Sequence, residues 1–280
     1  KVAASALHAL ARAARDAGLD RARVITDDPR VEGWLEQHGI RPASVRYDVS
    51  FFNEIRKIKT VPEIELMRVA ARANERALLA AGDSLTDGAE WTEIESVYMT
   101  EMARLGARGV YCICGVGGLP AGRVRRGEPV LLDALGQYRH YHGDFGRSAV
   151  LGEPSVEHRR RFQALRAGWD AIRPLLRPGT CYSELERTAI ETVRSAGFPE
   201  FRYVTPHGLG LEHTDDPKPV GAQPGTKPDQ VLEPGMVINV DMPYTEIGWG
   251  SLHLEDTVLI TADGHELLTT AGLDLRCVPG

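Results

Sequence analysis

Asp133, Asp144, His207, Asp241 and Glu255 each stand where a strand would end or turn, in the strings PVLLDALGQYRHYHGDFGRS, TPHGLGLEH, GMVINVDMP and SLHLEDTVLIT. Four acids and a histidine therefore punctuate apolar, β-branched runs. Burying an ionised carboxylate costs several kcal/mol unless something pairs with it, and the surrounding sequence offers too few cations to neutralise the group. Metal, as two ions, is the economical partner. Two divalent ions a few ångströms apart lower the pKa of a shared water toward neutrality and polarise a carbonyl. A carboxylate-rich set suits hard or borderline metals, manganese foremost, with zinc, iron and cobalt open.

Such residues must be brought together by strands. Asp133 and Asp144 flank a hairpin in which Gly136 and Gly143 are expected to supply turn conformations. Asp241 ends the strand MVINVD. In the return strand SLHLEDTVLI, Leu252, Leu254 and Asp256 share one face, and Ser251, His253, Glu255 and Thr257 share the other.

Helices precede these strands twice. Thr60 and Glu63 form a capping box with proline in the first turn, opening an amphipathic helix that runs to Gly82. A second helix is expected from Thr92, capped with Glu95, to Gly106, followed by the strand GVYCICGVG. The order then repeats: a helix over residues 155–176, a helix capped by Ser183 and Glu186 and stopped at Gly197, then FRYVTPHGLGLE. WTEIESVYMTEMARLGA and YSELERTAIETVRSAGF align in register, which reads as an internal duplication. It predicts an α+β class, with a pseudo-twofold duplicated unit whose helices cover one face of a curved, mostly antiparallel sheet. Before it, helical residues 3–17, the strand RVITDD and the helix PRVEGWLEQHGI closed by Gly39 make about half of an α/β domain. The expected boundary falls near residue 55, giving domains 1–54 and 55–280.

Composition excludes several alternatives. The chain has 280 residues, 42% hydrophobic and 26% charged, enough for a sizeable core in one or two domains. A net charge of -6 leaves no basic surplus for nucleic acid or anionic membrane, and EHRRRF reads as a solvated helix face. No apolar stretch approaches the ~20 residues of a membrane span, and no signal peptide is legible. Lys1 is not a methionine, so an upstream segment is expected. Cys112 and Cys114 alternate along a strand instead of showing zinc-knuckle spacing, and nothing demands disulfides, which fits a cytoplasmic location.

The spacing from Asp133 to Asp144, HGLGLE around His207, LEPGMVINVD and LEDTVLITADGHELLT together resemble the pita-bread metallopeptidase superfamily of methionine aminopeptidase, aminopeptidase P, prolidase and creatinase. The lead-in IRKIKTVPEIELMRVAARANERAL is similar to the Xaa-Pro peptidase branch, and residues 1–50 look like the second half of that branch's N-terminal domain. The resemblance implies a dinuclear site: Asp133 on one ion, Asp144 and Glu255 bridging both, His207 on the second, and Asp241 sharing its ion. It also implies a homodimer.

Departures lie close to that site. Asp241 stands where the family usually has glutamate. Gly117 lies near the place of one proton-handling histidine, Thr214 occupies the slot of another with His213 one residue early, and His253 replaces a common arginine. In an extended segment a one-residue shift turns a side chain to the opposite face, so His213 can serve only if a turn or bulge re-aims it. EHTDDP is accordingly a rebuilt catalytic wall or a structural turn. The candidates for proton handling are His213, His253 and Tyr203, with His140 and His142 on the hairpin as surface or supporting residues. The expected function is metal-dependent hydrolysis of a short Xaa-Pro peptide or related amide. A lyase-like or amidinohydrolase-like small-molecule reaction and a non-catalytic binding module are the alternatives.

Overall fold

The computed structural model describes residues 2–116, 122–217 and 229–279; Gly117 lies outside them. Two compact units divide the chain: one holds the residues up to Arg56 and a second stretch beginning at Asp216, the other runs from Lys57 to Asp215 and resumes at Asp229. The smaller contains α1 (Val2–Asp16), β1 (Arg23–Thr26), α2 (Val31–Gln37), β2 (Ser44–Tyr47) and α3 (Phe51–Arg56), with β1 and β2 parallel. Ala14, Leu35 and Ile40 form its buried centre. Gly39, at φ 70°, ends α2 in the left-handed conformation that glycine adopts without strain.

The larger unit repeats one sequence of elements. The first half is α4 (Val61–Asp83), α5 (Trp91–Arg104), β3 (Arg108–Val116), β4 (Pro129–Tyr138) and β5 (Tyr141–Leu151). The second is α6 (Val156–Ile172), a 3-10 turn, α7 (Tyr182–Ser195), β6 (Thr205–Gly208), β7 (Val237–Glu246) and β8 (Gly250–Ile260). Among the described residues the sheet runs β3-β4-β5-β8-β7-β6, so the second half is the first reversed, meeting it at β5 and β8. Its main path is antiparallel throughout. Short β9 (His265–Leu267) pairs with β8, and β10 (Arg276–Val278) pairs parallel with β5. The duplication extends to detail. Trp91 and Tyr182, aligned in the repeat, both open their helices, and the residues just before them, Glu90 and Cys181, each bridge to a later segment, at Arg123 and Val231.

Alternation separates the faces. Leu132, Ala134, Phe145 and Ala149 point to the core with Leu78, Tyr98 and Met102 of α4 and α5, and Val240, Met242, Leu252 and Leu254 point to the core with Trp169 and Leu185 of α6 and α7. Asn74 of α4 donates to the Ala134 carbonyl and accepts from the Tyr98 hydroxyl, fixing that helix pair on β4. At the seam, buried Arg147 donates to Asp256 at 2.8 Å and to the Glu255 carbonyl, tying β5 to β8.

Three local expectations are corrected. Thr60 and Glu63 do cap α4, but α5 is capped by Glu90 and Glu93, because Trp91 is already helical and Glu93 reaches back to the Glu90 N–H. Ser183 lies inside α7, where its N–H and hydroxyl both donate to Asp229. Gly136 and Gly143 are not turn residues: they pair with each other in mid-hairpin, and Arg139 and His140, at φ 48° and 73°, make the turn. The glycines instead admit the helices. A Cβ on Gly143 would stand 2.4 Å from the Ala70 carbonyl oxygen of α4. Gly143→Ala should therefore cost about 1–3 kcal/mol by forcing α4 off the sheet, seen as a lower urea midpoint. An unchanged midpoint would contradict this packing.

Candidate metal centre

The strand registers set the site. In antiparallel strands directly opposed residues share a face. One cross-strand row runs Ile113, Asp133, Gly146, Glu255, Asp241 and Thr205 from β3 to β6. Beside it runs a second row with Leu135 opposite Asp144 and, past the seam, Thr257, Asn239 and His207; the Thr257 hydroxyl joins the two halves by donating to the Asp144 carbonyl at 2.7 Å. All five residues singled out in the sequence thus lie on the face away from the helices. Gly146 leaves the middle of the row open: a Cβ there would stand 2.5 Å from His253 Nδ1 and 2.7 Å from Glu255 Oε2.

Two groups of ligand-capable atoms form on this face. One atom each from Asp144, His207 and His213 lie within 4.8 Å of one another, as do one each from Asp133, His253 and Glu255. Asp241 is held beside the second group, its Oδ1 2.6 Å from His253 Nε2. His213 Nε2 stands 3.1 Å from Asp144 Oδ2. It is re-aimed by a turn: Gly210 N–H donates to the Glu212 carbonyl, and Asp215 N–H returns to the Gly208 carbonyl. His142, buried near the turn of the hairpin, braces this loop through its backbone N–H and Nδ1 at the Gly210 carbonyl and pairs through Nε2 with Gln137. EHTDDP is thus a hydrogen-bonded turn that carries His213 to the acids.

The electrostatics are those of acids crowded without enough cations. Burial above all, then Asp144 and Asp241, pushes the Asp133 carboxyl up to about 7 against the opposing pull of His253. Burial, then Asp144, Asp133 and Asp241, raises Glu255 well above the usual carboxylate range. Asp144 is also driven upward by burial, but the His213 and His207 rings and the Asn239 amide outweigh that and hold it low. Burial would lower His253; contact with Asp241 outweighs it and raises the imidazole. Both Asp144 oxygens and Glu255 Oε2 are buried without a well-directed hydrogen bond from any described residue. Carboxylate oxygens left bare at such cost, gathered with imidazoles around a common space, fit divalent ions.

Other expectations need correction. Tyr203 is half-exposed and lines a pocket of about 580 Å³ with Phe198, Phe201 and Tyr244. His140, read from the sequence as a surface or supporting residue, sits exposed at the hairpin tip. Two residues of the site were missed. Buried Asn239 donates to Glu255 Oε1 at 2.7 Å, fixing that carboxylate, and its place two residues before Asp241 on one strand face was the available signal. Tyr111 packs edge-on to His213, with 6.3 Å between ring centroids. It was hidden by a β-bulge at Val110, which shifts the alternation of β3.

The family model of metallopeptidase family M24 matches residues 65–262. The chain is 28% identical to the Xaa-Pro dipeptidase of Pyrococcus furiosus over 256 residues, covering 88% of this chain and 72% of that one. It is 27% identical to the Xaa-Pro dipeptidase of Pyrococcus horikoshii over 233 residues, 79% of this chain and 65% of the relative. Among solved structures, the prolidase from Pyrococcus furiosus superposes with a TM-score of 0.77 at 24% identity, covering 90% of this chain and 77% of its own. The Xaa-Pro dipeptidase from Bacillus anthracis gives 0.82 at 22%, covering 97% and 78%. These likenesses extend the pseudo-twofold sheet to the pita-bread fold of solved structures. With a family model spanning both halves of the sheet and every acid of its open face, the chain belongs to metallopeptidase family M24.

Proposed function

We propose that this chain is a metal-dependent hydrolase of short peptides with proline after the scissile bond. The observation that carries the reading is the pair of ligand groups side by side on one sheet face, with buried carboxylate oxygens that accept no well-directed hydrogen bond from any described residue. Family membership and the names of the relatives, Xaa-Pro dipeptidases, support the substrate class. Asp133, Asp144, His207, Asp241 and Glu255 would hold two divalent ions; when bound, these supply an activated water and polarise the scissile carbonyl. A cytoplasmic homodimer acting on small peptides completes the proposal, with no call on nucleic acid or membrane. No helix among the described residues is long and apolar enough to cross a membrane.

The chain's own residues divide the remaining work. Asn239 orients Glu255 through its amide. The Tyr111 hydroxyl makes no hydrogen bond to any described residue, and burial, then the charges of Asp133, Asp144, Glu255 and Asp241, raises its pKa far above the ordinary phenol value. It stays protonated throughout the working range and is a neutral O–H donor toward charge developing on the substrate carbonyl.

Three outcomes are expected. Purified protein given manganese or zinc should hydrolyse Xaa-Pro dipeptides in a chromatographic assay and lose that activity on chelation; metal-loaded protein that cleaves none of a broad Xaa-Pro panel would refute the substrate class. Tyr111→Phe should lower kcat about 10- to 100-fold with metal content unchanged, and a wild-type kcat would remove the donor role.

The third concerns pH. Asp133 and Glu255 have raised folded-state values, so the metal-free folded protein keeps protons that the unfolded chain releases near pH ~4. Its stability should then fall as pH rises from there toward about 7, where Asp133 ionises. Added metal replaces those protons, so the rise in Tm on metal addition should grow across the same interval. A metal-induced Tm shift that does not change with pH would contradict the carboxylate electrostatics.

A further inference from the structure

We infer that His213 and His253 are themselves metal ligands, each completing one of two ion positions: Asp144, His207 and His213 at one, and Asp133, Glu255 and His253 at the other. The inference rests on the metallohydrolase reading above and changes its ligand set.

Donor atoms around one ion with bonds of ~2.0–2.3 Å stand roughly 3–4 Å apart. His213 Nε2 and His207 Nε2 lie 3.1 and 3.7 Å from the same oxygen, Asp144 Oδ2. Their rings meet at 72° with centroids 5.0 Å apart, so both bring a nitrogen edge to that oxygen without stacking on each other. His213 makes no well-directed hydrogen bond to any described residue, and the turn that carries it is held by backbone bonds that do not involve its ring. Besides the ring packing of Tyr111, the described contact that sets its aim is the one with Asp144.

At the second position, His253 Nε2 lies 3.7 Å from Glu255 Oε2, and one of its ring nitrogens falls within the span that also includes an Asp133 oxygen; Nε2 also hydrogen-bonds Asp241 Oδ1 at 2.6 Å, a bond that must give way for Nε2 to ligate. Its ring is 1% exposed, and Nδ1 has no hydrogen-bond partner among the described residues. A buried imidazole kept only to orient Asp241 would ordinarily satisfy its other nitrogen. The neighbouring strand residue accounts for its presence. Asp241 is a short carboxylate whose side chain remains 24% exposed, against 3% for Glu255. His253 faces Pro243 in the register, one step along the same face from the Asp241–Glu255 pair, and can supply the donor that a shorter carboxylate does not. Gly146, opposite Glu255, leaves the room for its ring.

Three imidazoles over two ions make a more nitrogen-rich centre than one. Imidazole favours zinc, iron and cobalt, whereas carboxylate and water suit manganese. The manganese expected from a carboxylate-dominated set gives way to zinc as the tighter ion.

The test is zinc K-edge X-ray absorption on the 280-residue chain, stripped of metal and reloaded with zinc, where imidazole multiple scattering counts histidines per ion. Three imidazoles shared by two zincs are expected. In calorimetric titration, His213→Gln and His253→Gln should each weaken zinc by ~10-fold or more at one position only. A hydrogen-bonding role could weaken zinc as much, so the imidazole count decides, and it needs no variant to fold. One imidazole shared by two zincs, with Xaa-Pro hydrolysis intact, overturns this inference alone. Protein that binds neither ion overturns it together with the metallohydrolase reading.

Discussion

Four carboxylates brought to one face of a sheet, two of them almost wholly removed from water, are the constraint on which the rest of this structure turns. Mutual repulsion and lost hydration work against ionising them together. Asp133 and Glu255 are raised as a result, and Asp144 stays low only because imidazoles lie against it. The fold imposes this arrangement by placing β5 of one half against β8 of the other, so that acids distant in sequence become neighbours in two adjacent rows. The helix side of the same seam carries a charge-paired counterpart: Asp256 is just as buried, and its Oδ1 accepts from Arg147 and Thr269, although its Oδ2 accepts from no described residue. One face neutralises its acid with protein. The other leaves its acids for metal.

Much of this was legible in the sequence because it follows from period. Alternation in SLHLEDTVLI assigns Glu255 and His253 to one face and Asp256 to the other, and the register with β7 places them so. The repeated helix pattern gave the pseudo-twofold order, even where the caps were misjudged, because glycine stops such as Gly106 and Gly197 mark helix ends more firmly than Ser or Thr marks beginnings. What was hidden depends on contacts that one sequence does not encode locally. The glycines of the hairpin make room for α4, which no turn rule reveals. Tyr111 reaches the site past a bulge, and the aim of His213 comes from the Gly208–Asp215 turn. Tyr203, one of the proton-handling candidates, lines a pocket with Phe198, Phe201 and Tyr244 on the segment before β6.

The altered histidines and the shortened Asp241 are best understood together. In isolation each looks like a loss of peptidase machinery. On the sheet face, His253 contacts Asp241 and His213 contacts Asp144, so the changes fall at the carboxylates themselves. The ligand sphere and the residues free to handle protons are therefore linked: an imidazole committed to an ion is no longer a proton donor, and the neutral Tyr111 hydroxyl then carries more of that work.

The central claim is that this acid-lined face is a centre for two metal ions. Anomalous diffraction from crystals of the zinc-loaded protein, with data on both sides of the zinc edge, tests it most directly. The account predicts two anomalous peaks a few ångströms apart on this face, one touching Asp144 and His207 and the other touching Asp133 and Glu255. No anomalous peak there at saturating zinc, with the five side chains bonded only to protein or water, would contradict it.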